Sequence, residues 1–197
     1  MSKPHPDSPK NTNHGENIIL TTRQPNSRYC FVCGLSNPVG LHLHFEETQP
    51  GEVVANVTLP AHFQGYPGIT HGGIIAAMLD EVAGRAHMGS GPNPRFMFTA
   101  SLKVRYRKNV PTEQPLHIVG TAGARKGRMA EATSAIYDAQ GNLLADAEAI
   151  LVDVPEGIVD GVDFEALGWR VYSDEELVES MTGGANDRRV SPPSNHR

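Results

Sequence analysis

Residues 68–84 read GITHGGIIAAMLDEVAG, and the prediction of the fold starts from this stretch. A glycine-rich turn that contains His71 leads directly into an apolar run, which predicts a buried helix over residues 72–88. Amides at a helix start are unpaired donors at the positive end of the helix dipole, so they suit an oxyanion or a phosphate. Asp80 is the polar exception in the run, and a carboxylate with such donors is the minimum set for acyl transfer.

The spacing between the turn and the acid predicts a dimer. If the helix begins near Gly72 or Gly73, Asp80 lies roughly 11 Å further along the axis, at about 1.5 Å per residue. A carboxylate that attacks a carbonyl, directly or through one water, must come within roughly 3–6 Å of it. One helix cannot present both groups to the same carbon. Two antiparallel copies can, with the turn of one chain facing the acid of the other.

Composition sets limits on the class of protein. The 197 residues predict one domain with appendages, and the net charge of −5 argues against a general nucleic-acid binder. The first ten residues lack the apolar core of a signal peptide, and no run approaches the roughly 20 apolar residues of a membrane span. The chain contains two cysteines, which excludes a disulfide-stapled secreted scaffold. We therefore expect a soluble, cytoplasmic protein.

The order of the predicted elements indicates an α+β fold. Two strands precede the long helix and four follow it, which predicts an antiparallel sheet wrapped around one central helix, the hotdog arrangement. Turns are expected at residues 48–51 and 138–141. The predicted strands cover 41–46, 52–59, 96–108, 115–123, 128–137 and 143–153.

Two appendages flank the predicted domain of residues 29–155. Residues 1–28 are rich in Pro, Asn, Ser and His without an apolar period, so we expect a disordered tail. Residues 156–197 form a C-terminal extension in which the sequence SDEE at 173–176 is typical of a capping box that opens a short helix. The last residues, from Gly183, are predicted to be disordered.

Several short motifs follow one another in a fixed order along the chain. They are CFVCG at 30–34, NPVGL at 37–41, FQGYPG at 63–68, HGG at 71–73 with Asp80 nine positions after the histidine, TASLKVRY at 99–106 leading to Pro111, and Gly127-Arg128. With them the chain resembles hotdog-fold acyl-CoA thioesterases of the phenylacetyl-CoA thioesterase (PaaI) type over about residues 29–154. It looks closest to the branch that contains the human thioesterase superfamily members four and five.

The resemblance implies roles for individual residues. Asp80 takes the position of the general base or nucleophile, the Gly72 amide polarises the thioester carbonyl from the partner chain, and Thr99 helps to place the attacking water. His71 and Gly73 complete the turn, and we interpret His71 as a residue that orients the turn rather than as an acid or base.

The motif departs from the family pattern at one position. Many enzymes of this type carry an Asn six residues before the histidine, where this chain has Gly65. The second oxyanion donor is therefore unassigned, with Gln64 or a water as candidates.

A basic cluster is the candidate site for the phosphates of CoA. Arg125, Lys126 and Arg128 flank Gly127, and an acidic protein that holds an anionic ligand needs such a local patch. The Gly-Arg match makes Arg128 the favoured residue. The basic residues at 103, 105 and 107 share one strand face, which we interpret as solvated.

Neither a metal nor another cofactor is predicted. Cys30 and Cys33 are half a zinc site, but no second cysteine pair completes four ligands, so two small packed thiols are expected. His42 and His44 alternate with apolar residues and are expected to face solvent, and Glu81 is interpreted as a solvated or salt-bridged acid. A thioester is already activated, so CoA enters only as part of the substrate.

The sequence thus predicts an acyl-CoA thioesterase that acts as a homodimer or as a homotetramer built from such dimers, without nucleic-acid partners or a membrane span. Two alternatives stay open: a non-catalytic acyl-CoA-binding protein of the same fold, and a hotdog hydratase or dehydratase acting on enoyl thioesters. The sequence does not separate a nucleophilic Asp80 from one that activates water.

Overall fold

A computed structural model of the chain describes residues 21–91, 94–155, 157–159 and 161–183. The predicted disorder of residues 1–20 and 184–197 lies outside these ranges. A 3₁₀ turn at Ala61–Phe63 precedes the main helix. The elements are β1 (Thr22–Arg23), β2 (Glu46–Gln49), β3 (Glu52–Thr58), β4 (Gln64–Tyr66), β5 (Ile69–Thr70), α1 (Gly72–Met88), β6 (Met97–Tyr106), β7 (Pro115–Lys126), β8 (Met129–Asp138), β9 (Leu143–Asp153) and α2 (Asp174–Gly183).

One antiparallel sheet of seven strands carries the fold. Its strand order is β1-β2-β3-β7-β8-β9-β6, so β6 follows α1 in the chain and returns to the edge beside β9. Among the described residues β6 pairs only with β9, and its other side is open. Strands β4 and β5 form a separate small hairpin directly before α1. The predicted α+β architecture with one long helix is confirmed.

Helix α1 lies against β7, β8, β6 and β9 and contributes the centre of the core. Each fully buried large apolar side chain contributes roughly 1.5–3 kcal/mol to stability. Gly120 of β7 permits the close approach, since a Cβ there would lie 2.2 Å from the carbonyl oxygen of Val82. The helix residues buried in the core include Ile75, Met78, Leu79, Val82, Ala83 and Ala86.

The prediction that structure begins at residue 29 is wrong for residues 21–28. Thr22–Arg23 pair with β2, and Gln24 and Asn26 are almost fully buried. The Asn26 side-chain amide donates to the carbonyl oxygens of Cys33 (2.7 Å) and Leu43 (2.8 Å). The low apolar content of this segment predicts disorder. The segment is instead held to the domain by buried hydrogen bonds, which the pattern of apolar residues does not reveal.

The predicted strand at residues 41–46 is correct in its alternation but wrong in its extent. Leu41, Leu43 and Phe45 are buried as expected. However, His42 has φ of 52°, and the Leu43 amide donates to the carbonyl oxygen of Val32 at 2.9 Å. A residue in the left-handed region interrupts a ladder. The regular strand therefore begins only at Glu46, the last residue of the predicted range.

The described part of the C-terminal extension packs on the domain. Phe164 stacks on Phe96 with ring centroids 4.7 Å apart, and the backbones of Arg170 and Asn26 form an isolated antiparallel β-bridge. The predicted capping box is confirmed: the Glu176 amide donates to Ser173 Oγ at 3.3 Å, and the Ser173 amide donates to the Glu176 carboxylate at 2.9 Å. Within the described residues, neither helix combines the length and apolar character that a membrane crossing requires.

Candidate active site

His71 ends the glycine-rich turn and caps α1. Its Nδ1 accepts a hydrogen bond from the Gly73 amide at 3.0 Å, and its carbonyl oxygen accepts from the amides of Ile74 (2.9 Å) and Ile75 (3.1 Å). Among the described residues, the Gly72 amide alone of these first helical amides has no protein acceptor. The cap therefore uses the Gly73 amide and leaves the Gly72 amide available to a ligand, and His71 acts in the structure as a residue that orients the turn.

Asp80 lies half-buried on α1, two turns beyond the cap, on the side of the helix that faces β6. Thr99 of β6 donates its hydroxyl to Asp80 Oδ1 at 2.7 Å. Asp80 Oδ2 has no hydrogen-bond partner among the residues that the structure describes. The structure thus brings Asp80 and Thr99 together, fixes one carboxylate oxygen and leaves the other free to accept a proton or approach a carbonyl.

Tyr106 and Gly65 shape the turn, a role that the sequence pattern did not indicate for either residue. The Tyr106 hydroxyl donates to the carbonyl oxygen of Gly72 at 3.0 Å, so the end of β6 fixes the peptide beside the free amide. A Cβ at Gly65 would lie 3.2 Å from both Cα and Cδ2 of His71, closer than most such contacts. The glycine thus lets the β4–β5 hairpin close on His71, where an asparagine would crowd the ring.

Gln64 is the candidate second oxyanion donor from the sequence. Its Oε1 accepts from the Gly68 amide at 3.1 Å, which holds the side chain across the hairpin. Its own side-chain amide makes no hydrogen bond with the described residues, and the residue is exposed. Gln64 therefore stays a candidate donor, beside the turn that carries Gly72.

The open edge of the sheet runs alongside these groups. Phe98 and Tyr106 of β6 are 47% and 56% exposed, although both are large aromatic residues. A register shift between Thr99 and Ser101 places Phe98 on the outer face of the strand, whereas Tyr106 lies on the face towards α1. The outer face is otherwise polar as predicted: Lys103 and Arg105 pair with Glu148 of β9. The edge therefore combines unpaired backbone groups with exposed aromatic rings, a combination typical of a surface that another chain covers.

The basic cluster lies at the tip of the β7–β8 hairpin. Gly127 has φ of 60° in this turn, and the three basic side chains around it are exposed. Arg125 lies 3.8 Å from Asp153 Oδ2. The pKa of the Asp153 carboxyl is lowered, first by its hydrogen bond from Arg95 and further by the nearby arginines. Lys126 and Arg128 form no ion pair within the described part of the chain, so their charges are available to an anionic ligand.

Glu81 is salt-bridged, as predicted, and it also faces the two cysteines. Its Oε1 accepts from Arg85 Nε at 2.8 Å, and its Oε2 lies 3.8 Å from Cys30 Sγ. Hydrogen bonding from Cys30 lowers the pKa of the Cys33 thiol to about 7, whereas the same bond, burial and the Glu81 charge raise the pKa of Cys30. Both cysteines are free, and Cys33 is fully buried.

The expectation that His44 faces solvent is wrong. Both of its ring nitrogens are buried without a hydrogen-bond partner in the described residues, and burial lowers the pKa of the imidazole. His42 is half-buried and its Nε2 lies 2.6 Å from the carbonyl oxygen of Asn37. The alternation of residues 41–45 indicates an exposed histidine face, but the His44 ring is desolvated and lies within electrostatic range of Arg23 in the N-terminal segment.

The central part of the chain is similar to a known family. Residues 67–145 match the family model of the thioesterase superfamily. The chain is also 40% identical over 50 residues to acyl-coenzyme A thioesterase THEM4 of Rattus norvegicus. That alignment covers 25% of this chain and 20% of the relative, so the chain spans about a fifth of the length of the curated protein that it matches.

Solved structures share the fold. The crystal structure of protein RHA08564, a thioesterase superfamily protein, is 32% identical with a TM-score of 0.58 and covers 64% of this chain and 61% of that one. The structure of smu.793 from Streptococcus mutans bound to acetyl CoA is 17% identical with a TM-score of 0.52, over 57% of this chain and 88% of that one. At that identity it speaks for the fold alone.

Residues 67–145 thus match the thioesterase superfamily, and the fold around them resembles that of a solved thioesterase superfamily protein, the hotdog fold. The matched range includes the capped turn, the whole of α1 with Asp80, and the hairpin with Arg128. The finer assignment to the PaaI type, and to the branch of the members four and five, stays a prediction.

Proposed function

We propose that the protein hydrolyses acyl-CoA thioesters to a free acid and CoA. The observation that carries the proposal is the pair of free groups on α1: a half-buried carboxylate held through one oxygen by Thr99, and an unpaired amide at Gly72. The acyl-CoA thioesterase named among the relatives and the CoA-bound neighbour are consistent with that substrate class.

The reaction needs a second copy of the chain. Asp80 lies roughly 12 Å along the helix axis from Gly72, at about 1.5 Å per residue, which is too far for both to reach one carbonyl. The open edge of β6 lies beside both groups and exposes Phe98 and Tyr106. A two-fold pairing of two such edges turns α1 of one chain antiparallel to α1 of the other. Gly72 of one protomer then faces Asp80 of its partner.

In this arrangement each group has one task. The Gly72 amide donates to the thioester oxygen as it gains charge, at the positive end of the helix dipole. Asp80 takes a proton from the attacking water, or attacks the carbonyl itself and forms a mixed anhydride that water then opens. The Thr99 hydroxyl holds the carboxylate in place, and Arg128 with Arg125 and Lys126 contacts the phosphates of CoA.

Complementation between two inactive variants tests the shared site. Gly72→Pro removes the amide proton and is compatible with the start of the helix, because the first helical position tolerates proline and His71 already has the extended backbone (φ −61°, ψ 137°) that precedes one. Gly72→Ala is the matched control, since it keeps the amide and its Cβ meets Tyr106 at an ordinary 3.6 Å. We expect the alanine variant to stay active and the proline variant to lose most of its kcat.

Mixing separates a shared site from a site within one chain. A mixed dimer of Gly72→Pro and Asp80→Asn chains contains one intact pair, the glycine of one and the acid of the other. Random re-association of equal amounts should restore about a quarter of wild-type activity with an acyl-CoA ester, measured as free thiol. No recovery would place both groups in one chain or remove one from the mechanism. Tight binding without thiol release would favour the acyl-CoA-binding alternative, and loss of enoyl absorbance without thiol would favour the hydratase.

A further inference from the structure

A second cluster of reactive side chains lies on the other flank of α1, and the proposed hydrolysis does not use it. It consists of Cys30, Cys33 and Glu81, whose Sγ and carboxylate oxygen atoms all lie within 4.8 Å of one another. Glu81 Oε2 and Cys30 Sγ are 3.8 Å apart. Cys33 is fully buried and the other two are half-buried, so the cluster is largely shielded yet still accessible to solvent.

The loop that carries the cysteines is folded tightly around the first sulfur. The amides of Val32 and Cys33 donate to Cys30 Sγ at 3.3 and 3.4 Å. The Gly34 amide donates to the Cys30 carbonyl oxygen at 2.9 Å, and a Cβ at Gly34 would lie 2.4 Å from that oxygen. A bound dication deprotonates a coordinating thiol, and two amides directed at the sulfur then help to stabilise the thiolate against the burial and the Glu81 charge that otherwise raise the pKa of Cys30. The glycine permits the tight turn that directs them.

The position of the Glu81 carboxylate is fixed by a buried arginine. Arg85 is 1% exposed and donates from Nε to Glu81 Oε1 at 2.8 Å and from Nη1 to the carbonyl oxygen of Pro25 at 2.9 Å. Its guanidinium also lies 4.1 Å over the ring of Phe45. These contacts leave Glu81 Oε2 directed at the thiols. An outer partner that orients a ligating carboxylate in this way is typical of metal sites.

The charges and distances agree with a divalent ion. Two thiolates, one carboxylate and a dication sum to −1, and the Arg85 charge brings the buried group to zero. For tetrahedral zinc, bonds of about 2.3 Å to sulfur and about 2.1 Å to oxygen separate the two atoms by roughly 3.6 Å. The observed 3.8 Å between Cys30 Sγ and Glu81 Oε2 needs only a small adjustment.

We propose that Cys30, Cys33 and Glu81 form a zinc site with water as the fourth ligand. Thiolate ligands select Zn²⁺ over Mg²⁺ and Ca²⁺, which prefer oxygen. The site ties the loop of residues 30–34 to the middle of α1, one residue beyond Asp80. It does not depend on the proposed hydrolysis, because none of its ligands contacts the candidate reaction centre.

Metal titration of the reduced, chelator-treated full-length protein tests the site. Titration with Zn²⁺ against a chromophoric chelator should show one tightly bound ion per chain. Co²⁺ should give the near-ultraviolet charge-transfer band of cobalt bound to thiolate, and this readout needs no variant. Absence of stoichiometric Zn²⁺ binding, or a cobalt spectrum without the thiolate band, would overturn the proposal. A reduced protein that forms a Cys30–Cys33 disulfide in air but takes up no zinc would overturn it as well.

Two variants resolve the ligand set. Glu81→Gln should weaken Zn²⁺ binding by at least about tenfold, since a neutral amide is a poor ligand for zinc. The matched control is Asp80→Asn, which removes the neighbouring charge and should leave the zinc affinity unchanged while hydrolysis falls. Equal weakening by both variants would show general electrostatics and reject Glu81 as a ligand. A protein that binds zinc but releases no thiol would reject the hydrolase and leave the metal site intact.

Discussion

The two flanks of α1 carry neighbouring acids that the structure treats in opposite ways. Asp80 faces the open edge of the sheet, where a single hydroxyl from Thr99 contacts it. Glu81 lies about 100° around the helix and faces the N-terminal segment. Arg85, one turn further along α1, balances its charge, and Cys30 adjoins its second oxygen. Both acids interrupt the same apolar run, so the difference lies in their partners.

This difference gives a criterion for assigning roles. An acid whose charge is balanced by a buried cation of its own chain is held for folding, because removing it leaves that cation without a counter-charge. An acid with one neutral partner and an unpaired oxygen is available to a substrate. The criterion predicts that loss of Asp80 reduces activity and that loss of Glu81 reduces stability.

The largest expected effect is on turnover. Asp80→Asn should preserve the fold and lower kcat for acyl-CoA hydrolysis by roughly 10²- to 10⁴-fold, the usual range for loss of a positioned base. Steady-state thiol release measures the change, and circular dichroism checks the fold. Glu81→Gln, measured below its melting range, should keep kcat close to wild type. Activity of Asp80→Asn within a few-fold of wild type would remove Asp80 from the mechanism.

The next effect concerns the hydroxyl that positions the acid. Thr99→Val removes the bond to Asp80 Oδ1 at nearly constant volume. A hydrogen bond to a charged group contributes about 1.5–3 kcal/mol, so kcat should fall roughly 10- to 100-fold with little change in KM. Thr99→Ser keeps the hydroxyl and should restore most of the rate. Equal loss in both variants would point to packing on β6 rather than to the hydrogen bond.

The flank of α1 that carries Asp80 was predictable from sequence, because its elements follow from local patterns. The apolar run gave α1 with the bounds of the structure, since glycine and histidine before it and glycine after it are strong boundary signals. Alternation and turn residues located β3, β8 and β9 to within one residue at either end. The placement of Asp80 on a buried helix, with Thr99 on a following strand, came from the same patterns.

The flank of α1 that carries Glu81 depends on contacts between residues distant in sequence, which local patterns do not encode. The Gln24 side chain donates to the Arg85 carbonyl oxygen at 3.2 Å across 61 positions, and Glu81 meets Cys30 across 51. Local pattern therefore assigns the polar N-terminal segment to a disordered tail and indicates no further ligand for the cysteine pair. The third ligand is an acid on α1, which only the packing of the segment on the helix reveals.

The third effect tests the structural role of Glu81. Glu81→Gln leaves the buried Arg85 guanidinium without a counter-charge, although the glutamine can still accept its hydrogen bond. Glu81 is itself 20% exposed, so we expect a loss of about 2 kcal/mol in the free energy of unfolding rather than the larger cost of a fully buried pair. Urea denaturation in the presence of a chelator excludes any metal contribution. Asp80→Asn should change the same free energy by less than about 0.5 kcal/mol, and an equal loss in both variants would contradict the comparison.

The smallest effect lies away from both acids, at the hairpin tip. Arg128→Ala removes a charge that no described acid pairs with, so its loss should act on the ligand rather than on the fold. One exposed charge-assisted contact of about 1 kcal/mol corresponds to a KM for acyl-CoA raised roughly fivefold, and the effect should shrink with added salt. Esters of pantetheine lack the nucleotide phosphates and should be unaffected. Arg107→Ala, which breaks a pair with Asp146 on the same sheet, is the control for general charge loss. An equal rise in KM on both kinds of ester would reject phosphate contact by Arg128.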